Sequence, residues 1–177
     1  MTHPRDATSH RPLHLGHGDD RRQTWDEYFL TLATSASSRS TCVRRKVGAV
    51  IVRDRHIVST GYNGGPSGYA HCDEGGCPRA ASDAPMGADY GSCIAIHAEA
   101  NALLFCGPQD RENATIYCTD LPCFGCAKLI SNSGITEVVA ARGLYDGWED
   151  VRSFLLDAGV RVRLLSHADD QVTLDLG

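Results

Sequence analysis

His97-Ala-Glu-Ala-Asn-Ala-Leu-Leu-Phe-Cys106, Ala114-Thr-Ile-Tyr-Cys-Thr119, Cys123-Phe-Gly-Cys-Ala-Lys-Leu-Ile-Ser-Asn-Ser133 and Glu137-Val-Val-Ala-Ala141 lie in one stretch, residues 97–141, whose reading decides the fold. Ala100, Ala102, Leu103, Leu104 and Phe105 carry a helical apolar pattern, so a helix is expected over 97–106. Ala114–Thr119 reads as a short strand. Pro122 fits at or just before the start of a second helix, 123–133, and Gly134 fits its end. A strand at 137–141, a helix at 148–158 and a strand at 160–165 continue the alternation. Such alternation demands βαβ crossovers, hence parallel strands in this half of the sheet with helices packed against it.

Upstream the pattern changes. Thr24 and Glu27 can form a capping box, and Tyr28, Leu30, Leu32 and Ala33 give a first helix running to about Ser37. Lys46–Val52 and Ile57–Tyr62 read as strands joined by the turn Arg53-Asp54-Arg55-His56, an antiparallel hairpin. A long Gly- and Cys-rich connection, Asn63 to Ser92, has no sustained periodicity, and such a loop is functional or pinned. The expectation is an α/β fold: a three-layer αβα domain with a mixed sheet and helices on both faces. Residues 1–22, polar and rich in histidine (His3, His10, His14, His17), read as a disordered tail, leaving one domain over 23–177.

The 177 residues, 42% hydrophobic and 22% charged, suit a single core. Seventeen basic against 22 acidic residues give a net charge of −5, and the basic ones are dispersed apart from groups such as Arg44-Arg45-Lys46. That balance argues against a nucleic-acid partner and favours a small substrate with its own local anion pocket. The chain has eight cysteines but no charged-then-apolar leader, and no apolar run approaches the roughly 20 residues of a membrane span. A reduced, cytoplasmic protein with no membrane partner is expected, its cysteines mostly binding metal.

Two motifs carry the chemistry. His97-Ala98-Glu99 and Pro122-Cys123-Phe124-Gly125-Cys126 supply one imidazole and two thiolates. A closed structural zinc site uses four protein ligands, whereas three plus an open position is the catalytic arrangement. Water at that position would ionise near neutral pH, and Glu99, in the first turn of the helix that begins at His97, is the acid–base partner. A lone Cys-x-x-Cys is as easily a structural half-site or a redox pair; here both motifs fall at element junctions. Cys42, Cys72, Cys77 and Cys93 form a second group suited to a structural zinc, with His71 as the substitute ligand. The alternative is that several are buried thiols, the reading preferred for Cys106 and Cys118.

With these residues in view, the chain from Trp25 to about Val160 resembles the deoxycytidylate deaminase family, particularly its bacterial and archaeal members, within the cytidine deaminase-like superfamily. The resemblance rests on Trp25-Asp26-Glu27-Tyr28-Phe29, Ser40-Thr41-Cys42, Lys46 to Val52, Gly61-Tyr62-Asn63-Gly64, Pro66-Ser67-Gly68, His71-Cys72, Gly76-Cys77, Cys93, His97-Ala98-Glu99, Asn101-Ala102, Pro122-Cys123 with Cys126, and Gly134-Ile135. It implies a cytidine deaminase-like fold and hydrolysis of dCMP to dUMP and ammonia, with Glu99 shuttling protons. It further implies that Asn63 contacts the sugar, that the backbone around Ala98 holds the pyrimidine, and that the protein is a homo-oligomer, often a hexamer in this family.

Two departures stand out. Phe105-Cys106-Gly107-Pro108 stops the helix where relatives continue to a basic residue, with Arg111 nearby but out of register. Tyr145, the expected substrate-side tyrosine, is also shifted from its usual place. These departures keep open a different base as substrate, such as a modified cytosine nucleotide, a nucleoside or a purine. A zinc-folded binding module without turnover is the remaining alternative, and Glu99 argues against it, because a structural site needs no shuttle carboxylate.

Overall fold

The computed structural model describes residues 22–82, 90–143, 147–165 and 174–175. The tail expected over 1–22 therefore lies outside the described residues except for Arg22, and Tyr145 lies outside them too. Helices α1 (Trp25–Ser37), α2 (Ala98–Leu104), α3 (Pro108–Arg111), α4 (Phe124–Ser131) and α5 (Trp148–Asp157) surround strands β1 (Gly48–Arg53), β2 (His56–Tyr62), β3 (Thr115–Cys118), β4 (Glu137–Ala140), β5 (Arg161–Leu164) and β6 (Leu174–Asp175). The sheet order is β2-β1-β3-β4-β5-β6. β1 is antiparallel to both β2 and β3, the pairs β3–β4 and β4–β5 are parallel, and β6 returns antiparallel. The hairpin, the crossovers and the mixed sheet match the sequence pattern; β6 carries no sequence signal, because two residues show no period.

Alternation along β1 divides the core. Ala49 and Ile51 join Ala98, Ala102, Leu103, Ala127, Ile130 and Leu155 beneath α2, α4 and α5. Val50 and Val52 pack with Phe29, Leu30, Ala33, Tyr117 and Val139 beneath α1. These are the three layers. Cys106 and Cys118 belong to the first cluster, as core thiols. Among the described residues no helix is long and apolar enough to cross a membrane.

Both helical layers approach the sheet at glycine. A Cβ on Gly61 would lie 2.1 Å from the Ala98 carbonyl oxygen and 2.5 Å from the Ala102 nitrogen; one on Gly48 would lie 2.0 Å from the Ala33 oxygen. Because the obstruction is helix backbone, it cannot rotate aside. Gly61→Ala is expected to push α2 off β2 and destabilise by about 1–3 kcal/mol, the usual range for an overpacked core, read as a fall in denaturant midpoint.

α1 opens with the expected capping box: Glu27 N donates to Thr24 Oγ1 at 3.3 Å and Thr24 N donates to Glu27 Oε2 at 2.7 Å. Asp26, inside the capping box, ties this helix to the sheet. It accepts from Tyr117 Oη at 2.8 Å and from Arg163 Nη1 at 2.7 Å, while Arg163 Nε donates to Glu137 Oε1 at 2.9 Å. Burial pulls the Asp26 carboxyl upward, but the bonds from Arg163 and Tyr117 outweigh it and hold the group below its ordinary value. A folded value below the unfolded one, about 3.9, stabilises above that pH and is lost as pH falls through the folded value. Below about pH 4 the wild type should therefore lose melting temperature more steeply than Asp26→Asn, which starts lower at neutral pH.

The helix expected over 97–106 ends at Leu104, where Phe105 leaves helical geometry (φ −99°, ψ 13°). Pro108 opens α3, and Arg111 folds back to donate from Nη1 to the carbonyls of Leu103 (3.1 Å) and Cys106 (3.2 Å). Those bonds add a charged donor to carbonyls at the end of α2, where Leu103 otherwise accepts only a 3.3 Å bond from Cys106 N. The basic residue missing from the helix thus serves as its cap from the next element.

Candidate active site

The two motifs meet at the edge of the sheet where the parallel strands end. His97 is the N-cap of α2 (φ −70°, ψ 156°) and Cys123 the N-cap of α4 (φ −73°, ψ 167°), with Cys126 in the first turn of α4. His97 Nδ1 lies 3.3 Å from Cys123 Sγ and 3.4 Å from Cys126 Sγ. Among the described residues this is the one group of His, Cys or acidic side chains whose ligand atoms all lie within 4.8 Å of one another. Ligands held tetrahedrally at about 2.0–2.3 Å from one zinc ion would stand about 3.5–3.8 Å apart, so the donor set fits zinc after shifts of a few tenths of an ångström.

The electrostatics suit a cation. A hydrogen bond from Cys126, and then one from His97, draw the Cys123 thiol down to about 4, so it is a thiolate at neutral pH. Cys126 is pushed up, first by that same bond and then by burial. The hydrogen bond to Cys123 raises His97. The pair therefore shares one negative charge, and a bound metal would ionise the second thiol. Both helix starts also direct backbone N–H groups to this point.

Glu99 is 3% exposed, and burial raises its carboxyl above the ordinary range, with His97 and Cys126 beside it. A buried carboxyl that holds a proton easily, next to a metal site with an open position, can both accept and deliver one.

Around this centre the chain is tightly tied. Gly64 and Ile96 exchange backbone hydrogen bonds of 3.1 and 2.8 Å, holding the turn after β2 against the residue before His97. Asn101 Nδ2 donates to the Tyr62 carbonyl at 2.8 Å, fastening α2 to the same strand end. Asn63 lies between them, 8% exposed. Its Oδ1 accepts from Val47 N and its Nδ2 donates to the Arg45 carbonyl, each at 2.8 Å, so its carboxamide brackets the backbone leading into β1. Ala98 is fully buried at the head of α2. Asn101 has no special sequence signal beyond its resemblance motif, since a helix-surface asparagine looks solvent-facing until β2 is placed beside it.

The second cysteine group also gathers. Side-chain contacts join Cys42 to Cys72 and Cys77 to Cys93, and the two pairs feel one another's charge. Burial acts to raise Cys77, but backbone N–H groups of Ile94, Ala80 and Arg79 and the Cys93 side chain outweigh it and lower the thiol. Cys72 and Cys93, raised chiefly by burial, each accept one backbone bond, from Val43 and Ala95. None of the eight cysteines is in a disulfide. His71 is exposed, with Nδ1 3.5 Å from Thr41 Oγ1.

Sequence reading missed a further cluster at this edge. Asp120, in the turn between β3 and Cys123, pairs with Arg45 and, at 3.4 Å, with Arg142. Three residues this far apart in the chain leave no local pattern to find.

Comparison with known proteins agrees with this geometry. The family described as the cytidine and deoxycytidylate deaminase zinc-binding region matches residues 23–142. A deoxycytidylate deaminase of Mycobacterium phage D29 is 54% identical over 123 residues, covering 67% of this chain and 94% of the phage protein. A deoxycytidylate deaminase of Schizosaccharomyces pombe is 43% identical over 143 residues, covering 80% of this chain and 44% of the yeast protein. The crystal structure of the dCMP deaminase from cyanophage S-TIM5 in complex with dCMP and dUMP gives a TM-score of 0.62 at 27% identity, covering 78% of this chain and 95% of that one. With motifs, sheet order and metal-ligand trio in agreement, the chain belongs to the cytidine and deoxycytidylate deaminase family.

Proposed function

We propose that the protein hydrolyses dCMP to dUMP and ammonia. The observation that carries the reading is the buried Glu99 carboxyl set against the His97, Cys123 and Cys126 trio. When bound there, zinc is the Lewis acid that makes water a nucleophile near neutral pH. Glu99 accepts a proton as water attacks C4 of the cytosine ring and passes it to N3. It then takes the second proton and gives it to the exocyclic amine, which leaves as ammonia when the carbonyl forms. One water is consumed, its oxygen stays on C4, and N3 keeps its proton. The Ala98 N–H, without an intrahelical partner by its position, serves the base; Asn63, through the N–H and the lone pair left over by its bonds to Arg45 and Val47, and Tyr145 serve the sugar side.

A second zinc would be held by Cys42, Cys72, Cys77 and Cys93. Support comes from their pairing and from the backbone N–H groups directed at Cys72, Cys77 and Cys93, a setting that favours thiolates. His71, already turned to Thr41, is the weaker candidate ligand. Free thiols and zinc–thiolate chemistry suit the reducing cytoplasm. Exposed Leu104 (69%) and Phe105 (80%) at the end of α2 support a homo-oligomer, a hexamer being the expected form.

The test is a panel of dCMP, CMP, deoxycytidine, 5-substituted dCMP and purines, followed by ammonia release and loss of cytosine absorbance. Selective turnover of dCMP is expected. Silence on dCMP from protein with its zinc in place would remove the proposal.

A further inference from the structure

Deamination at C4 leaves two guanidinium groups at the catalytic edge without a task. The Asp120 side chain is 9% exposed and fixed by Thr119 Oγ1, which donates to Oδ2 at 3.0 Å. Arg45 bonds to its Oδ1 through Nη2; Arg142 bonds to Oδ2 through Nη2 at 3.4 Å and to the Thr119 carbonyl through Nε at 3.4 Å. One carboxylate thus holds two cations, and the cluster is left with a net positive charge in a chain of net charge −5. The Arg45 and Arg142 side chains are 49% and 64% exposed, and each guanidinium has further N–H donors beyond those bonds.

Their placement is set by backbone. The Arg45 carbonyl accepts from Asn63 Nδ2, and the Arg142 carbonyl accepts from Leu121 N at 3.0 Å, one residue before Pro122-Cys123. Both arginines therefore stand where the ends of β3 and β4 meet the turn that carries a metal ligand, the edge at which open α/β sheets bind ligands. As plain surface ion pairs they would contribute about 0–1 kcal/mol to stability. As donors already held by a buried acid, they lose little rotamer freedom when an anion arrives.

We infer that Arg45 and Arg142, positioned by Asp120, form the anchor for the substrate's 5′-phosphate and set the preference for nucleotide over nucleoside. The inference rests on the reading of the protein as a deaminase of a nucleoside monophosphate. A phosphate monoester carries about −1.5 to −2 charges at pH 7 and offers oxygens that match the guanidinium fork. A local anchor of this kind also reconciles an acidic chain with an anionic substrate.

The experiment compares binding of dUMP and deoxyuridine, which differ only in the phosphate, to the full-length zinc-loaded protein by calorimetry. Arg45→Gln and Arg142→Gln are each expected to weaken dUMP at least tenfold and to leave deoxyuridine as in wild type. Arg142→Lys should recover part of the loss. Arg161→Gln removes an equal charge from a residue paired with Glu137 at the far end of β4 and β5, and should change neither ligand. Zinc content and melting temperature confirm folding. Retained dUMP affinity in both variants, or equal weakening of dUMP and deoxyuridine, would overturn the inference. If another nucleotide proves to be the substrate, its product and the matching nucleoside replace this pair, so the phosphate anchor stands or falls apart from the choice of base.

Discussion

Glu99→Gln is expected to abolish turnover while zinc stays bound. Glutamine keeps the shape of the side chain and can still accept and donate hydrogen bonds, but it cannot take up the proton released by water or return it to the ring and the amine. General acid–base groups contribute about 10²–10⁴-fold, and one group serving two transfers should sit at the upper end. The side chain is 3% exposed, so no solvent acid can easily replace it. The amide, unlike a carboxyl, never has to carry a charge in this buried position, so melting temperature should hold or rise. Rates from a coupled ammonia assay, beside zinc analysis of the same sample, check the result. Full activity in the variant would sink the mechanism; loss of zinc would make the carboxylate a support for the metal.

Cys126→Ala should cost both the metal and the activity. The three ligand atoms, all within 4.8 Å of one another, leave no spare donor among the described residues. Two ligands hold zinc far more weakly than three, and with the Cys126 bond gone the Cys123 thiol also loses its largest stabilising contact. The expected reading is one zinc equivalent fewer per chain than wild type, with no measurable deamination. Because the second cysteine group is proposed to hold its own ion, one equivalent should remain, and Cys77→Ala should remove that one instead. Unchanged zinc content in Cys126→Ala would refute the site.

The gathering of His97, Cys123 and Cys126 was legible because it depends on residue type and spacing. His97, Glu99, Cys123 and Cys126 each sit within one turn of a helix start, and Pro122 and the apolar periods mark those starts. The αβα layering was legible for the same reason. What escaped depends on distant partners. α2 stops at Leu104 ahead of Gly107-Pro108, but the return of Arg111 from α3 to bond the carbonyls of Leu103 and Cys106 is something no helical period encodes. Asn63 reads as a turn residue or a sugar contact; only the placed strand reveals that its carboxamide is already engaged with Arg45 and Val47. The group of Arg45, Asp120 and Arg142 forms only once three strand ends are brought together.

The two backbone bonds between Gly64 and Ile96 close the base of the long connection from β2 to His97. Whatever is inserted or deleted beyond that clasp begins and ends at the same two points, so the histidine and the glutamate need not move. Lengthening such an excursion is cheap, about 0.6 kcal/mol per doubling of a flexible loop. The clasp therefore makes this segment a place where lineages can diverge in length and graft new specificities onto an unaltered reaction centre.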